Sequence, residues 1–525
     1  MVRRGLVQQD DTIFDMSNLY LRFRNQGWSG DRPFIRNVDG GVITYADAGQ
    51  RSAQLALALQ VLGVRPGDRV VVQVEKSAMA LLLYLACLRV GAVHVPLNTA
   101  YTTVELEYFI ADAGPTLVIC APEKQDAIAG IVATLPDCRL ATLGSDGHSG
   151  SVVECADRIT AQEVRQFADV VRAGSDLAAI LYTSGTTGRS KGAMLTHDNL
   201  GSNCFTLKDC WRYTANDVLL HALPVFHTHG LFVATNVTLA AGASMILMAK
   251  FDPVLIRRFM PQATVLMGVP TFYVRLLQED WLNPEATQGM RLFISGSAPL
   301  LAETHRSWRE RTGHAILERY GMTETNMNTS NPYEGDRIPG AVGFPLRGVS
   351  LRVVDQESGA PLDCDAVGMI EVKGPNVFSG YWQMPDRTRA EFRDGYFITG
   401  DLGKIDARGY VHIVGRGKDL VISGGFNVYP REVENEIDAL PGVEESAVIG
   451  IVHPDLGEGV TAVVVLARSA DPVQLTESFV IAQLRQRLAA YKVPKRVMFV
   501  GSLPRNAMGK VRKNVLRDLY RHLYQ

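Results

Sequence analysis

Seven cysteines are scattered at positions 87, 120, 138, 155, 204, 210 and 364, and no two of them form a Cys-x-x-Cys pair. That spacing offers neither a zinc site nor a disulfide frame and fits thiols in a reducing compartment. Excess charge of one sign is missing too. The formal net charge is −2 over 525 residues, which gives no basic field for nucleic acid. No repeat of fixed period and no low-complexity tract occurs. The longest stretch without Lys, Arg, Asp or Glu, residues 218–249, contains His221, Pro224, His227, His229 and Asn236. It reads as buried core of a large domain, so no stable membrane insertion is expected. Met1-Val2-Arg3-Arg4 is followed by Asp10, Asp11 and Asp15 without an apolar h-region; no secretory leader and a cytoplasmic location are expected.

What is present is ordinary in bulk and specific in detail. Hydrophobic residues make up 46% and charged residues 21%, and a chain of this length divides into two to four domains or subdomains. Helical patterns alternate with short apolar runs: Arg69–Val74, Gly91–Leu97, Thr116–Cys120, Ala263–Met267 and Leu292–Ser295. The alternation predicts α/β layers around a largely parallel sheet. Around residue 350 the texture changes to period-two segments, Ser350–Asp355 and Gly368–Lys373, which predict a small antiparallel β unit. After the glycines and charges of Gly415–Asp419 comes a compact α+β set. The expected division is a large N-terminal domain over residues 1–416 and a small C-terminal domain over residues 417–525.

The chemistry gathers around Tyr182–Gly192, where five serine and threonine hydroxyls, three glycines and two cations occupy the loop after an apolar strand, Leu177–Leu181. Glycines let backbone N–H groups turn toward an anion, and Arg189 and Lys191 add charge. No Gly-Lys-Ser/Thr follows four residues after a glycine, so this is not a Walker A loop. Thr196 offers an N-cap for the next helix. Further blocks pair with the loop. Ser295-Gly296-Ser297-Ala298-Pro299 places small residues after a strand. Glu318-Arg319-Tyr320-Gly321-Met322-Thr323-Glu324 supplies an aromatic face and a carboxylate able to hold a hard divalent ion. Thr399-Gly400-Asp401 puts a carboxylate where ribose hydroxyls could donate to it. In Pro504-Arg505-Asn506-Ala507-Met508-Gly509-Lys510 a lysine follows a glycine, where its charge could reach a transferring phosphoryl group.

With these blocks in this order the chain resembles the adenylate-forming superfamily of acyl-CoA synthetases, luciferases and adenylation domains, from about residue 40 to its end. Ser190 departs from the family loop, which commonly has proline there. His221–Leu231, Gly321–Ser330, Lys250–Asp252 and Gly268–Tyr273 look like the malonate–CoA ligase branch. The resemblance implies a mobile C-terminal domain that rotates between two half-reactions. A carboxylate and ATP give an acyl-adenylate and pyrophosphate, then coenzyme A displaces AMP. It implies Mg2+ as cofactor and coenzyme A as co-substrate.

Carried over residue by residue, Thr183, Ser184, Gly185, Thr186, Thr187, Gly188 and Lys191 fall on the triphosphate loop. Ser297, Ala298, Glu318, Arg319 and Tyr320 fall on the adenine and acyl-adenylate wall. Thr323 lies beside the α-phosphate, Glu324 on the magnesium, and Asp401 and Arg416 on the ribose. Lys510 bridges the attacking carboxylate and the α-phosphate, Lys418 marks the hinge, and Ser423, Gly424 and Gly425 line the pantetheine channel. A dicarboxylate brings a second charge into the acyl pocket, which must meet it with cations or strong donors. His227, with a catalytic part as well, and His229 line that pocket, and Arg291 and Arg275 are candidate partners of the distal carboxylate. Malonate, with methylmalonate as a further acid, is the expected substrate. A short- or medium-chain or aryl acyl-CoA ligase, or a module loading a separate carrier protein, are the alternatives. Lys510 also stands where related synthetases are acetylated, so a lysine acetyltransferase is an expected partner.

Overall fold

The structure is a computed structural model that describes residues 18–183, 190–423, 426–467, 475–488, 490–506 and 509–525. It has a large N-terminal α/β portion and a smaller C-terminal portion, with four sheets in all.

The largest sheet has nine strands in the order Phe344–Pro345, Asn326–Ser330, Leu317–Met322, Leu292–Ser295, Val265–Gly268, Val218–His221, Ser244–Leu247, Pro33–Asn37, Val42–Thr44. The six from Leu317–Met322 through Pro33–Asn37 run parallel, and antiparallel strands close both edges. A seven-stranded sheet has a parallel interior of Leu177–Thr183, Val93–Pro96, Arg69–Gln73, Leu117–Cys120 and Arg139–Thr142. The helix Ala78–Val90 is buried at every position from Met79 to Val90. It shares one core with Val70 and Leu117 of this sheet and Leu219 and Met245 of the nine-stranded one, as expected of a helix apolar on all faces. The charge-free stretch 218–249 also folds into this core as strand, helix and strand. Among the described residues no helix is long and apolar enough to cross a membrane.

The period-two segments form an antiparallel sheet, Ser350–Val354 against Gly368–Lys373 against Tyr396–Ile405, and Val411–Arg416 pairs with the last of these. A fourth sheet begins at Val421–Ser423 and is built on the hairpin Val443–His453 and Gly457–Leu466, with Arg496–Val500 added in parallel. Between Arg416 and Val421 the chain makes a single 3-10 turn, Gly417–Asp419; we propose the domain division there. The helix Glu477–Arg485 belongs to this portion.

Two expectations change. The anion loop does not run from strand to helix. Leu177–Thr183 pairs antiparallel with Lys191–Thr196, and Thr183 stands opposite Lys191, so the loop is the tip of a hairpin. Thr196 caps the helix His197–Cys210 with a reciprocal Asn199 contact, a motif worth about 1 kcal/mol.

The second change concerns Arg291, which does not reach an acyl pocket. It precedes Leu292–Ser295 at the strand's entry end and forks onto Asp217, with Nε to Oδ1 at 2.6 Å and Nη2 to Oδ2 at 2.8 Å, while Nη1 donates to the Trp211 carbonyl at 3.1 Å. The pair fastens the loop before Val218–His221 to the strand two positions away in the sheet. Burial pushes the Asp217 carboxyl up, but the hydrogen bonds from Arg291, Thr214 and Thr264 bring it below the ordinary carboxylate range.

Arg291→Leu should therefore cost roughly 3 kcal/mol of stability, with the KM for the acid unchanged, read by thermal melting and steady-state kinetics. Because the folded pKa of Asp217 is depressed, the stability it adds is present above the unfolded carboxylate pKa and lost as pH falls through the folded value. Acid titration of the melting temperature should show a smaller acid-side loss in Arg291→Leu than in wild type.

Candidate active site

The carboxyl ends of the parallel strands form the floor of a cleft, the usual place for a ligand in an open α/β sheet. Gly268, Ser295 and Glu318 stand level across three strands, so the residues just beyond them converge. Ser297 has φ +71°, a left-handed conformation that a serine holds only where its surroundings impose it. Its hydroxyl lies 3.2 Å from His229 Nδ1. Gly296 has no alternative, since a Cβ there would lie 2.3 Å from Arg319 Cζ.

The Arg319 guanidinium is buried, and its Nε and Nη2 have no hydrogen-bond partner among the described residues. Burial lowers its pKa to about 9. The histidines beside it cannot share the charge. His227 is held at about 4, first by burial and then by Arg319, and His229 lies well below the ordinary imidazole range for the same reasons. The His229 N–H donates to His227 Nδ1 at 3.2 Å. His229 Nε2 has no hydrogen-bond partner among the described residues, and it carries the ring proton in the tautomer whose Nδ1 accepts from Ser297. The pocket thus offers one cation and neutral imidazole donors.

On the other side of Arg319 the Tyr320 hydroxyl donates to Asp401 Oδ2 at 2.7 Å, and Arg416 Nε meets Asp401 Oδ1 at 2.7 Å. The strand register sets this up by placing Asp401 opposite Arg416. Lys418 follows in the 3-10 turn, with a pKa lowered to about 8 by burial and then by Arg416. Lys510 feels the same field: burial of its surroundings and then Arg416 hold it below the usual lysine range. Its loop closes on itself, with Asn506 N–H donating to the Lys510 carbonyl and Lys510 N–H to Asn506 Oδ1, each at 2.9 Å. Gly509 comes against Thr271 of the helix Pro270–Leu277, so the C-terminal portion delivers its lysine to the large domain. Arg416, itself raised by Asp401, lowers the pKa of both lysines after burial does; cations gathered in this way suit a polyanion.

Thr183 and Lys191 hold the two ends of the hairpin tip, and the Tyr108 hydroxyl donates to the Ser190 carbonyl at 2.6 Å. Lys191 lies 3.4 Å from Glu391 and 4.1 Å above the Tyr381 ring. The Tyr381 hydroxyl in turn donates to Glu324 Oε1 at 3.0 Å. Burial raises the pKa of Glu324. A buried carboxylate with this one hydroxyl on it fits a hard divalent cation that takes its other ligands from phosphate and water. Among the described residues no cluster of three or more acidic, His or Cys side chains makes an all-protein metal cage, which is how Mg2+ is usually held. Thr323, in the same turn, is partly exposed to the cleft.

Several expected residues stand elsewhere. Arg275 is exposed on the outer side of Pro270–Leu277 and cannot meet a buried carboxylate. Arg291 is the sheet-entry pair described above. The Glu318 carboxylate turns inward to His305 Nδ1 at 3.0 Å and the Gly340 N–H at 3.1 Å, so it supports the wall from behind. Ala298 is partly exposed at the cleft. Ser423 is buried and pairs with Phe426 and Gly457. Ser184, Gly185, Thr186, Thr187, Gly188, Gly424 and Gly425 lie outside the described residues. The one residue that sequence reasoning missed is Tyr381. Its signal was available only in the pairing of Gly380–Tyr381 with the far strand of the loop hairpin.

Comparison with known proteins agrees with this geometry. Residues 22–382 match the AMP-binding enzyme family and residues 432–510 match the AMP-binding enzyme C-terminal domain. A feruloyl-CoA synthase of Amycolatopsis sp is 37% identical, over 91% of this chain and 94% of its own. A malonate–CoA ligase of Mus musculus is 34% identical, over 94% and 89%. Among solved structures, ATP-bound MatB from Rhodopseudomonas palustris is 60% identical over 97% of this chain and 100% of its own, with a TM-score of 0.93. Its apo form, also 60% identical, has a TM-score of 0.83. The chain belongs to the AMP-binding, adenylate-forming enzyme family and is an ATP-dependent acyl-CoA ligase that uses Mg2+ and coenzyme A.

Proposed function

We propose that the acid is malonate and that the enzyme makes malonyl-CoA through malonyl-adenylate, with methylmalonate as a second substrate. The observation that carries this reading is Arg319: a buried guanidinium with two nitrogens that have no partner among the described residues, beside neutral His227 and His229. Leaving such a cation unpaired is expensive, and a second carboxylate on the substrate would restore the balance. The forked geometry of arginine suits a carboxylate better than lysine does. The likeness to MatB and to malonate–CoA ligases supports the same acid.

In this reading Arg319 holds the distal carboxylate and the proximal one faces the nucleotide. Asp401 accepts from the ribose hydroxyls, while Thr183 and Lys191 hold the phosphate tail. Glu324 would hold the magnesium, which when bound neutralises phosphate charge. Lys510 brings its ammonium between the attacking carboxylate and the α-phosphate, where two anions must approach. Rotation about Lys418 then removes it and admits coenzyme A along the Ser423 loop. Acetylation of Lys510 would erase the charge that only the first half-reaction needs.

Two measurements test this. Pyrophosphate release should be fastest with malonate among malonate, 3-methylbutanoate, octanoate, benzoate and ferulate; the last belongs in the panel because of the feruloyl-CoA synthase relative. Arg319→Leu should lower kcat/KM for malonate on the order of 100-fold or more and raise that for 3-methylbutanoate, in which an isopropyl group replaces the distal carboxylate. Faster turnover of octanoate or ferulate by wild type would overturn malonate as the acid. Lys510→Ala should slow adenylation by roughly 100- to 1000-fold yet thioesterify supplied malonyl-adenylate within a few-fold of wild type.

A further inference from the structure

Lys76 stands just beyond the strand Arg69–Gln73, outside every role assigned above. Its ammonium is desolvated, and among the described residues no carboxylate lies within ion-pair distance of it. Instead it approaches one residue twice, donating to the His221 carbonyl at 2.7 Å and lying 3.0 Å from His221 Nδ1. The Gly230 carbonyl beside Nε2 can only accept, so the imidazole proton sits on Nε2 and Nδ1 accepts from Lys76. Nε2 lies 3.0 Å from the Gly230 carbonyl and 3.1 Å from Thr235 Oγ1, and Thr235 Oγ1 donates to the same carbonyl at 2.9 Å.

Gly230 and Thr235 belong to a π-helical segment, His229–Thr235. π-Helical turns are rare and occur mainly at functional sites. Here two side chains, His221 and Thr235, reach the Gly230 carbonyl inside the segment. The segment has no slack at its start, because a Cβ on Gly230 would lie 2.0 Å from the Pro224 carbonyl oxygen. Its first residue is His229, the imidazole at Ser297 in the acyl pocket.

We infer that Lys76 and His221 are positioning residues for carboxylate binding: Lys76 fixes the His221 tautomer, and His221 fixes the π-segment that presents His229. The inference rests on the acyl pocket of the ligase and holds whichever acid fills it. A relay of this kind acts on one substrate only, since neither residue touches the nucleotide contacts at Asp401, Arg416 or Lys510.

Lys76→Met keeps the stem and removes the donor. Its KM for the preferred acid should rise roughly 10- to 100-fold, with the KM for ATP within twofold of wild type. His221→Gln, which can still donate to Gly230, should keep more of the acid affinity than His221→Leu. An unchanged acid KM in Lys76→Met, or acid and ATP constants rising together, would overturn the inference. If Lys76→Met does not fold, 15N-histidine NMR of the wild type decides: an Nε2–H tautomer at His221 is expected, and an Nδ1–H tautomer would overturn it. The acid is chosen from the wild-type panel, so a preference other than malonate defeats the substrate assignment without deciding this experiment.

Discussion

A buried guanidinium without an anion is the costliest feature of the cleft, and the surrounding structure is arranged to hold it there. Arg319 reaches its place because Gly296 has no side chain, Ser297 accepts a left-handed backbone, and two histidines remain neutral beside it. None of these settings improves the stability of the empty protein. Each becomes favourable once an anion enters, which is the physical content of a site built for a charged ligand. The same logic holds where Lys418 and Lys510 are both lowered by burial and by Arg416, with Asp401 and Asp419 nearby. The nine-stranded sheet contributes Arg319, and the antiparallel sheet and the C-terminal portion contribute Arg416, Lys418 and Lys510; in the proposed reading the first meets an acyl carboxylate and the others a polyphosphate.

Delivery of the last cation depends on a different kind of element. Lys510 sits in a tight turn held by Asn506, on a portion of the chain that meets the large domain through Gly509 and Thr271. A lysine on a rigid strand would be present in both half-reactions. With the division we propose at Gly417–Asp419, it would be present in one and absent in the other, which suits a reaction whose second step attacks an already activated acyl group.

Much of the fold could be read from the chain, because strand and helix periods report burial directly. Leu292–Ser295 and Gly368–Lys373 begin and end where the apolar and alternating patterns do. The loop hairpin was missed because Lys191–Thr196 is short and ends at a strong helix cap, so the cap drew attention away from the strand before it. At the site, motif residues such as Glu324, Asp401 and Lys510 were legible, since their chemistry is tied to fixed neighbours in sequence. The partner of the distal carboxylate was not. Arg275 and Arg291 carry the right charge, but exposure and the Asp217 pair take them away. Arg319 had been placed on the nucleotide wall, and only the unpartnered nitrogens show its availability. The π-segment and the contact between Lys76 and His221 join residues 145 positions apart, and no local period encodes such a pairing.

The most direct test of the account is equilibrium binding of two stable adenylate mimics, malonyl and 3-methylbutanoyl adenosine sulfamate, measured by calorimetry. The two differ only in whether a carboxylate or an isopropyl group faces Arg319, so nucleotide contacts cancel in the ratio. The account predicts tighter binding of the malonyl mimic by on the order of 100-fold, with most of that ratio lost in Arg319→Leu. Equal affinities in wild type, or tighter binding of the apolar mimic, would contradict it.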